Sequence, residues 1–312
     1  MATFAFVFPG QGSQTVGMLD AWGEHAAVRQ TLAEASEALH EDVGALIHDG
    51  PKEQLDLTTN TQPVMLTAAI ACYRAWLAET GQAPAVLAGH SLGEYSALVA
   101  AGSLTLADAL PLVRLRAQAM QDAVPVGVGA MAAILGLEAD VVRDTCAEVA
   151  AAVGEPVEAA NYNDPKQTVI AGTRAAVDKA CEALKARGAK RALPLAVSAP
   201  FHSSLMKPAA ERLKAALSAV PLARPAIPVI NNIDVAVQSD PAAIKEALYR
   251  QAFGPVRWVE IVQAIRARGI TQLCECGPGK VLAGLARRVD AELVVGNILD
   301  PATLAEAKGM LA

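Results

Sequence analysis

Apolar residues fall along this chain in two rhythms. Short, nearly unbroken apolar runs at 3–8, 85–88, 228–232, 272–276 and 292–297 have the length and composition of strands buried on both faces. Between them, apolar residues recur at helical spacing over 26–39, 62–80, 94–101, 242–253 and 258–268. Pro63 suits a first helical turn, where its missing N–H costs nothing. Strands alternating with helices of this length predict a mostly parallel sheet covered on both faces. From about 126 to 198 the rhythm changes. A strand at 129–135, a helix at 138–149, two strands at 157–162 and 167–172 joined by Asn163-Asp164-Pro165-Lys166, a helix at 174–187 closed by Gly188, and a strand at 190–197 spell β-α-β-β-α-β. That order predicts a ferredoxin-like subdomain at 126–198, inserted into an α/β core made of 1–125 and 199–312.

Composition narrows the picture. Of 312 residues 53% are hydrophobic and 19% charged, which excludes disorder and supports a large core; aromatics at 4% leave that core to aliphatic side chains. A net charge of −6 argues against nucleic acid as a partner, since phosphate contacts need a basic field. No apolar run reaches the roughly 20 residues of a membrane helix, and the N-terminal apolar run is too short for a signal peptide, so a soluble cytoplasmic protein is expected. Nothing in the residues demands more than a monomer. The five cysteines are scattered and read as buried free thiols. Cys274-Glu275-Cys276 has no second pair to complete a zinc site, and no metal is expected.

The most specific local signal is Gly89-His90-Ser91-Leu92-Gly93, with a buried strand before it and a helix after it. Small residues at both ends let the chain make a sharp turn that lifts the Ser91 hydroxyl out at the carboxyl edge of the sheet, and the first N–H groups of the next helix face the same point. The pentapeptide alone occurs often by chance, and a tight glycine turn without chemistry is the alternative to this reading. Of five histidines, His25, His40 and His48 read as solvated surface residues. His90 adjoins Ser91 and must point away from it, buttressing the turn. His202, in the proline-stiffened loop Ser198-Ala199-Pro200-Phe201-His202-Ser203-Ser204, is the candidate base, with Ser203 or Ser204 expected to cap the next helix. Arg116 shares the apolar face of its helix with Leu112 and Met120, while Arg114 lies on the opposite face. Pro111, earlier in the same segment, is expected to kink it. A buried arginine calls for an anion, either an internal acid or a substrate carboxylate.

Taken in order, Phe8-Pro9-Gly10-Gln11-Gly12-Ser13-Gln14, Gly89-His90-Ser91-Leu92-Gly93-Glu94, Arg116, Gly129-Ala130-Met131-Ala132, Asn161-Tyr162-Asn163, His202, Gln251 and Gly277-Pro278-Gly279-Lys280 resemble the malonyl-CoA:acyl carrier protein transacylases, nearly end to end. The family's fold, an α/β-hydrolase-like core with a ferredoxin-like insertion, matches the pattern above. Ala117 departs from the glycine often found after this arginine, which bears on packing and not on chemistry.

The resemblance implies ping-pong transfer of a malonyl group from malonyl-CoA, as substrate, to the phosphopantetheine thiol of an acidic acyl carrier protein, with no permanently bound cofactor. It implies Ser91 as nucleophile, His202 as base, the Gln251 main-chain carbonyl holding His202, and the Gln11 and Leu92 N–H groups as oxyanion hole. Arg116 would grip the malonyl carboxylate, with Phe201, Met120 and Asn161 lining the substrate site; in related polyketide acyltransferases a phenylalanine at the place of Phe201 accompanies malonyl over methylmalonyl. Lys190, Arg191, Lys280, Arg287 and Arg288 are candidates for a carrier dock. A serine hydrolase or thioesterase is the alternative, because the same turn serves both. Against it stand Arg116 and the absence of an H-G-G-G-type oxyanion loop.

Overall fold

The computed structural model describes residues 3–311. Nine strands form two sheets among the described residues. In chain order, β1 (Phe4–Phe8) and β2 (Val86–Gly89) are followed by β3 (Gly129–Leu135), β4 (Val157–Asp164), β5 (Gln167–Thr173) and β6 (Arg191–Pro194), then by β7 (Val229–Ile230), β8 (Gln272–Cys276) and β9 (Val294–Ile298). The first sheet runs β7-β2-β1-β8-β9 with every neighbouring pair parallel. The second runs β4-β5-β3-β6, antiparallel throughout, which is the ferredoxin-like order.

Strand alternation assigns each face of the parallel sheet its own core. Phe4, Phe6 and Phe8 pack with Tyr73 and Trp76 of helix Thr58–Thr80. Ala5 and Val7, pointing the other way, pack with Trp258, Ile261 and Ile265 of helix Trp258–Ala267 and Leu282 of helix Val281–Val289. The antiparallel sheet repeats the device. Ala132, Ile134 and Ile170 face helices Ala139–Val153 and Arg174–Ala186 in a third core, while Met131, Ala133 and Val169 face the main body. One wall of a cleft is thereby fixed by the alternation of β3 and β5.

Several boundaries differ from the sequence pattern. Helix Thr58–Thr80 begins before 62 because Asn60 and Thr61 N–H donate to the Leu57 carbonyl and Thr61 Oγ1 to that of Leu55, so Pro63 lies in the second turn. Helix Leu106–Asp122 continues through Pro111 without a break. Helix Ala139–Val153 runs a turn beyond 149, closed by Gly154 in the left-handed region. Strand β6 stops at Pro194, which has no N–H; one bond from Leu195 N–H to the Met131 carbonyl follows, and 195–197 turn into the cleft. Strand β9 starts at Val294 because Glu292 N–H turns back to the Asp290 carboxylate.

Neither Ser203 nor Ser204 caps a helix: Ser203 Oγ donates to the Pro200 carbonyl, and a short turn, Ser204–Met206, intervenes before helix Lys207–Ala219. The cysteines are free, four of them buried and Cys181 half-buried. His40 and His48 are exposed, but His25 is half-buried, its ring edge-on to Trp22. Ala117 is fully buried. Among the described residues no helix is long and apolar enough to cross a membrane.

Candidate active site

Strand β2 ends at Gly89 and helix Gly93–Ala100 begins after three residues. Glycine is required at both ends of this elbow. A Cβ on Gly89 would lie 1.9 Å from the Gly93 carbonyl, and one on Gly93 2.0 Å from the Phe8 carbonyl oxygen. Between them Ser91 takes φ 54°, a left-handed conformation costing a non-glycine residue about 1–2 kcal/mol. Its peptide is held on both sides: Ser91 N–H donates to Asn232 Oδ1 at 2.7 Å, and Gln251 Nε2 donates to the Ser91 carbonyl at 3.0 Å. The strain turns the hydroxyl into the cleft.

His202 comes from the loop after β6 and is itself left-handed, φ 61°. Its Nε2 lies 2.6 Å from Ser91 Oγ, and its Nδ1 lies 2.9 Å from the Gln251 carbonyl and 3.2 Å from that of Gly254. Two carbonyl oxygens at Nδ1 require the proton there, which leaves the Nε2 lone pair for the serine proton. Burial, aided by the positive charge of Arg116, pushes the His202 pKa down to about 3, so the imidazole is neutral at physiological pH and free to accept.

Arg116 reaches the same hydroxyl. Its Nη2 donates to Ser91 Oγ at 3.1 Å and to Gln251 Oε1 at 3.2 Å, its Nη1 donates to Gln62 Oε1 at 2.7 Å, and its guanidinium carbon lies 5.4 Å from the centre of the Tyr95 ring. Among the described residues no carboxylate pairs with it directly, and its buried Nε has no partner. The nearest acid, Glu94, is one amide away: its Oε2 accepts from Gln251 Nε2 at 2.9 Å. Burial pushes the Glu94 carboxyl up to about 7. Arg116 is thus a buried cation held by neutral amides, with donor capacity to spare for an anion. Arg114, on the far face, is taken up by Glu41 through two bonds.

These groups open on a cleft of about 460 Å³ between the two sheets. Gln11, Ser91, Leu92, Arg116, Asn161, Phe201 and His202 line it, with Gln62 and His90. Among the described residues neither the Gln11 nor the Leu92 amide N–H has a hydrogen-bond partner within the chain, and both residues line the cleft. His90 turns from the hydroxyl as expected: its Nε2 is 2.9 Å from Asn163 Oδ1 and its ring lies against Trp258. Gln251 sits behind the site, fully buried. Met120 is buried and lies outside the set of residues that line the cleft. It shares the buried face of Arg116 one helical turn further on and packs in the main core. The pattern gave no sign of Gln62 or Asn232, and Glu94 entered only as the last residue of the elbow motif, without a role. Gln62 follows four polar residues, Thr58-Thr59-Asn60-Thr61, and nothing in the local sequence sets it apart from them.

A serine raised on a strained turn at the carboxyl edge of a parallel sheet, beside a neutral histidine and an arginine without an acid partner, has the parts of an acyl-group site in an α/β enzyme. The family model described as "Acyl transferase domain" matches residues 5–289. The malonyl CoA-acyl carrier protein transacylase of Escherichia coli (strain K12) is 51% identical over 98% of this chain and 99% of its own. The crystal structure of an acyl-carrier-protein S-malonyltransferase from Burkholderia pseudomallei is 65% identical, with a TM-score of 0.96 over 98% of this chain and 99% of that one. A malonyl-transacylase solved in complex with a type II PKS acyl-carrier protein is 48% identical, TM-score 0.96, over 98% and 99% of the two chains. The chain belongs to the acyl transferase family, among the malonyl-CoA:acyl carrier protein transacylases.

Proposed function

We propose that this enzyme moves a malonyl group from malonyl-CoA to the phosphopantetheine thiol of an acyl carrier protein through an ester on Ser91. The observation that carries the residue roles is the convergence on one hydroxyl of a neutral histidine at 2.6 Å and an arginine without an acid partner at 3.1 Å. Ser91 Oγ attacks the thioester carbonyl as His202 Nε2 takes its proton. Negative charge on the carbonyl oxygen is met by the N–H groups of Leu92 and Gln11, each such donor being worth about 3 kcal/mol in the transition state. The carbon–sulfur bond breaks, and His202 returns the proton to the departing CoA sulfur. The carrier thiol then gives its proton to His202 and attacks the ester, and Ser91 Oγ leaves with that proton.

Throughout, the malonyl carboxylate, separated from the ester carbonyl by a single methylene, exchanges the Arg116–Ser91 contact for charge-assisted bonds to the guanidinium. Serine, histidine and arginine supply nucleophile, base and anion site, so we assign no resident cofactor and no metal. Residues 126–198 act as a subdomain forming one cleft wall, with Phe201 and Asn161 against the acyl group. We further assign a cytoplasmic monomer whose carrier dock uses Lys190, Arg191, Lys280 and Arg287, all exposed at the ends of elements flanking the cleft.

Intact-mass measurement after mixing with malonyl-CoA tests the reading. A malonyl adduct on the native chain, absent from Ser91→Ala and discharged by holo carrier protein, is the expected result. Release of free malonate at the same rate with or without carrier would make the enzyme a hydrolase instead.

A further inference from the structure

Strand β7 is short, and its last paired residues are Val229 with Leu87 and Ile230 with Ala88. Continuing that register places Asn232 opposite His90, with Gly89 and Ser91 on either side. In a parallel ladder such a residue donates its backbone N–H to the carbonyl of one flanking residue and accepts from the N–H of the other. The backbone of Asn232 does neither: its N–H turns to Glu94 Oε2 at 2.8 Å and its carbonyl accepts from Arg257. Its side chain makes both bonds instead. Asn232 Nδ2 donates to the Gly89 carbonyl at 2.6 Å, and Asn232 Oδ1 accepts from Ser91 N–H at 2.7 Å. The side chain reaches where the diverging backbone does not.

We propose that Asn232 is a positioning residue for the nucleophile: its carboxamide replaces the missing rung of the sheet and holds the Ser91 peptide open in its left-handed conformation. Asn232 is fully buried and touches no reacting atom. It acts on the peptide whose next N–H, that of Leu92, faces the cleft. Its own placement is set by Glu94, which accepts both the Asn232 backbone N–H and Gln251 Nε2, so one carboxyl registers the clamps on the two sides of Ser91. A carboxamide is required because the rung needs a donor and an acceptor side by side. Aspartate has the shape without the donor, and would set a carboxylate oxygen against the Gly89 carbonyl.

This inference rests on Ser91 being the nucleophile, so the test separates the two ideas. Wild type, Asn232→Ala and Asn232→Asp are compared for the rate of Ser91 labelling by a fluorophosphonate and for kcat and KM with malonyl-CoA, with Tm recorded for each; the isosteric aspartate variant decides if the alanine variant does not fold. The expected result is labelling and kcat slowed by about 10²-fold, as for a small misplacement of a reacting group, with KM for malonyl-CoA within about threefold of wild type. Labelling at the wild-type rate, or a loss borne by KM alone, overturns the role of Asn232. Failure of the wild type to label at Ser91 would instead overturn the nucleophile assignment.

Discussion

Arg116 does its work through what it lacks. A guanidinium packed on Tyr95 and bonded to Gln62, Gln251 and Ser91 is held in place without being neutralised. Lysine would keep the charge and lose the planar fork, so Arg116→Lys is expected to lower kcat/KM for malonyl-CoA by about 10²-fold, the worth of one charge-assisted bond of about 3 kcal/mol, and to affect acetyl-CoA far less. Steady-state kinetics with both thioesters checks this, and an unchanged malonyl preference would refute it. His202 gives a second expectation. Its pKa is depressed to about 3, so it stays neutral as pH falls through the range where an ordinary histidine gains its proton, and the acylation rate should stay level there. Arg116 contributes to that depression, and removing it in Arg116→Ala should move the acidic limb of the pH–rate profile upward. Ser91, His202 and Arg116 were legible because each sits in a local pattern: a glycine-flanked turn, a proline-stiffened loop, a charge on an apolar face. Gln62 and Asn232 were not. A neutral amide carries no pattern of its own, and its partners lie 54 and 141 residues away.

At the scale of elements, the elbow depends on two backbones crossing at contact distance. Gly93→Ala would drive a Cβ into the Phe8 carbonyl, an immovable backbone atom. A loss of more than about 3 kcal/mol, read as a drop in Tm of several degrees, is expected. Helix Val281–Val289 shows a different dependence. Glu275 on β8 accepts the Ala283 N–H at 2.8 Å and is fully buried, which pushes its carboxyl up to about 7. Between the usual glutamate pKa and 7 the native state holds a proton that the unfolded chain has released, so stability falls as pH rises through that window. Glu275→Gln should flatten the slope in denaturant titrations at a series of pH values; an unchanged slope would assign it to other groups, of which Glu94 is the first to examine. Strand and helix identities were legible at this scale because burial on two faces and helical periodicity leave strong traces. The ends were less so: they were settled by particular bonds, such as the Leu57 carbonyl capping helix Thr58–Thr80 or the proline that stops β6.

Across the whole molecule, Ser91 and His202 belong to segments 111 residues apart, joined through the antiparallel sheet that walls the cleft. The order of β3 to β6 was readable because a ferredoxin-like unit announces itself through its change of rhythm, whereas the cleft between the sheets has no sequence signature at all. Helix Val281–Val289 carries Arg288, which bonds Asp164 of β4, and Arg287, which donates to the Val295 carbonyl and pairs with no acid among the described residues. Reversing Arg287 alone, as Arg287→Glu, leaves the Arg288–Asp164 ion pair in place and should raise KM for the carrier while leaving that for malonyl-CoA unchanged. Equal effects on both would place the dock elsewhere.

A cation sequestered among neutral groups alone makes the resting protein electrostatically incomplete. The malonyl ester proposed on Ser91 would bring a counter-ion that no side chain among the described residues supplies at that spot. The loaded enzyme should therefore withstand heat better than the empty one, and the transient species of the catalytic cycle would be the form in which this fold is most nearly at rest.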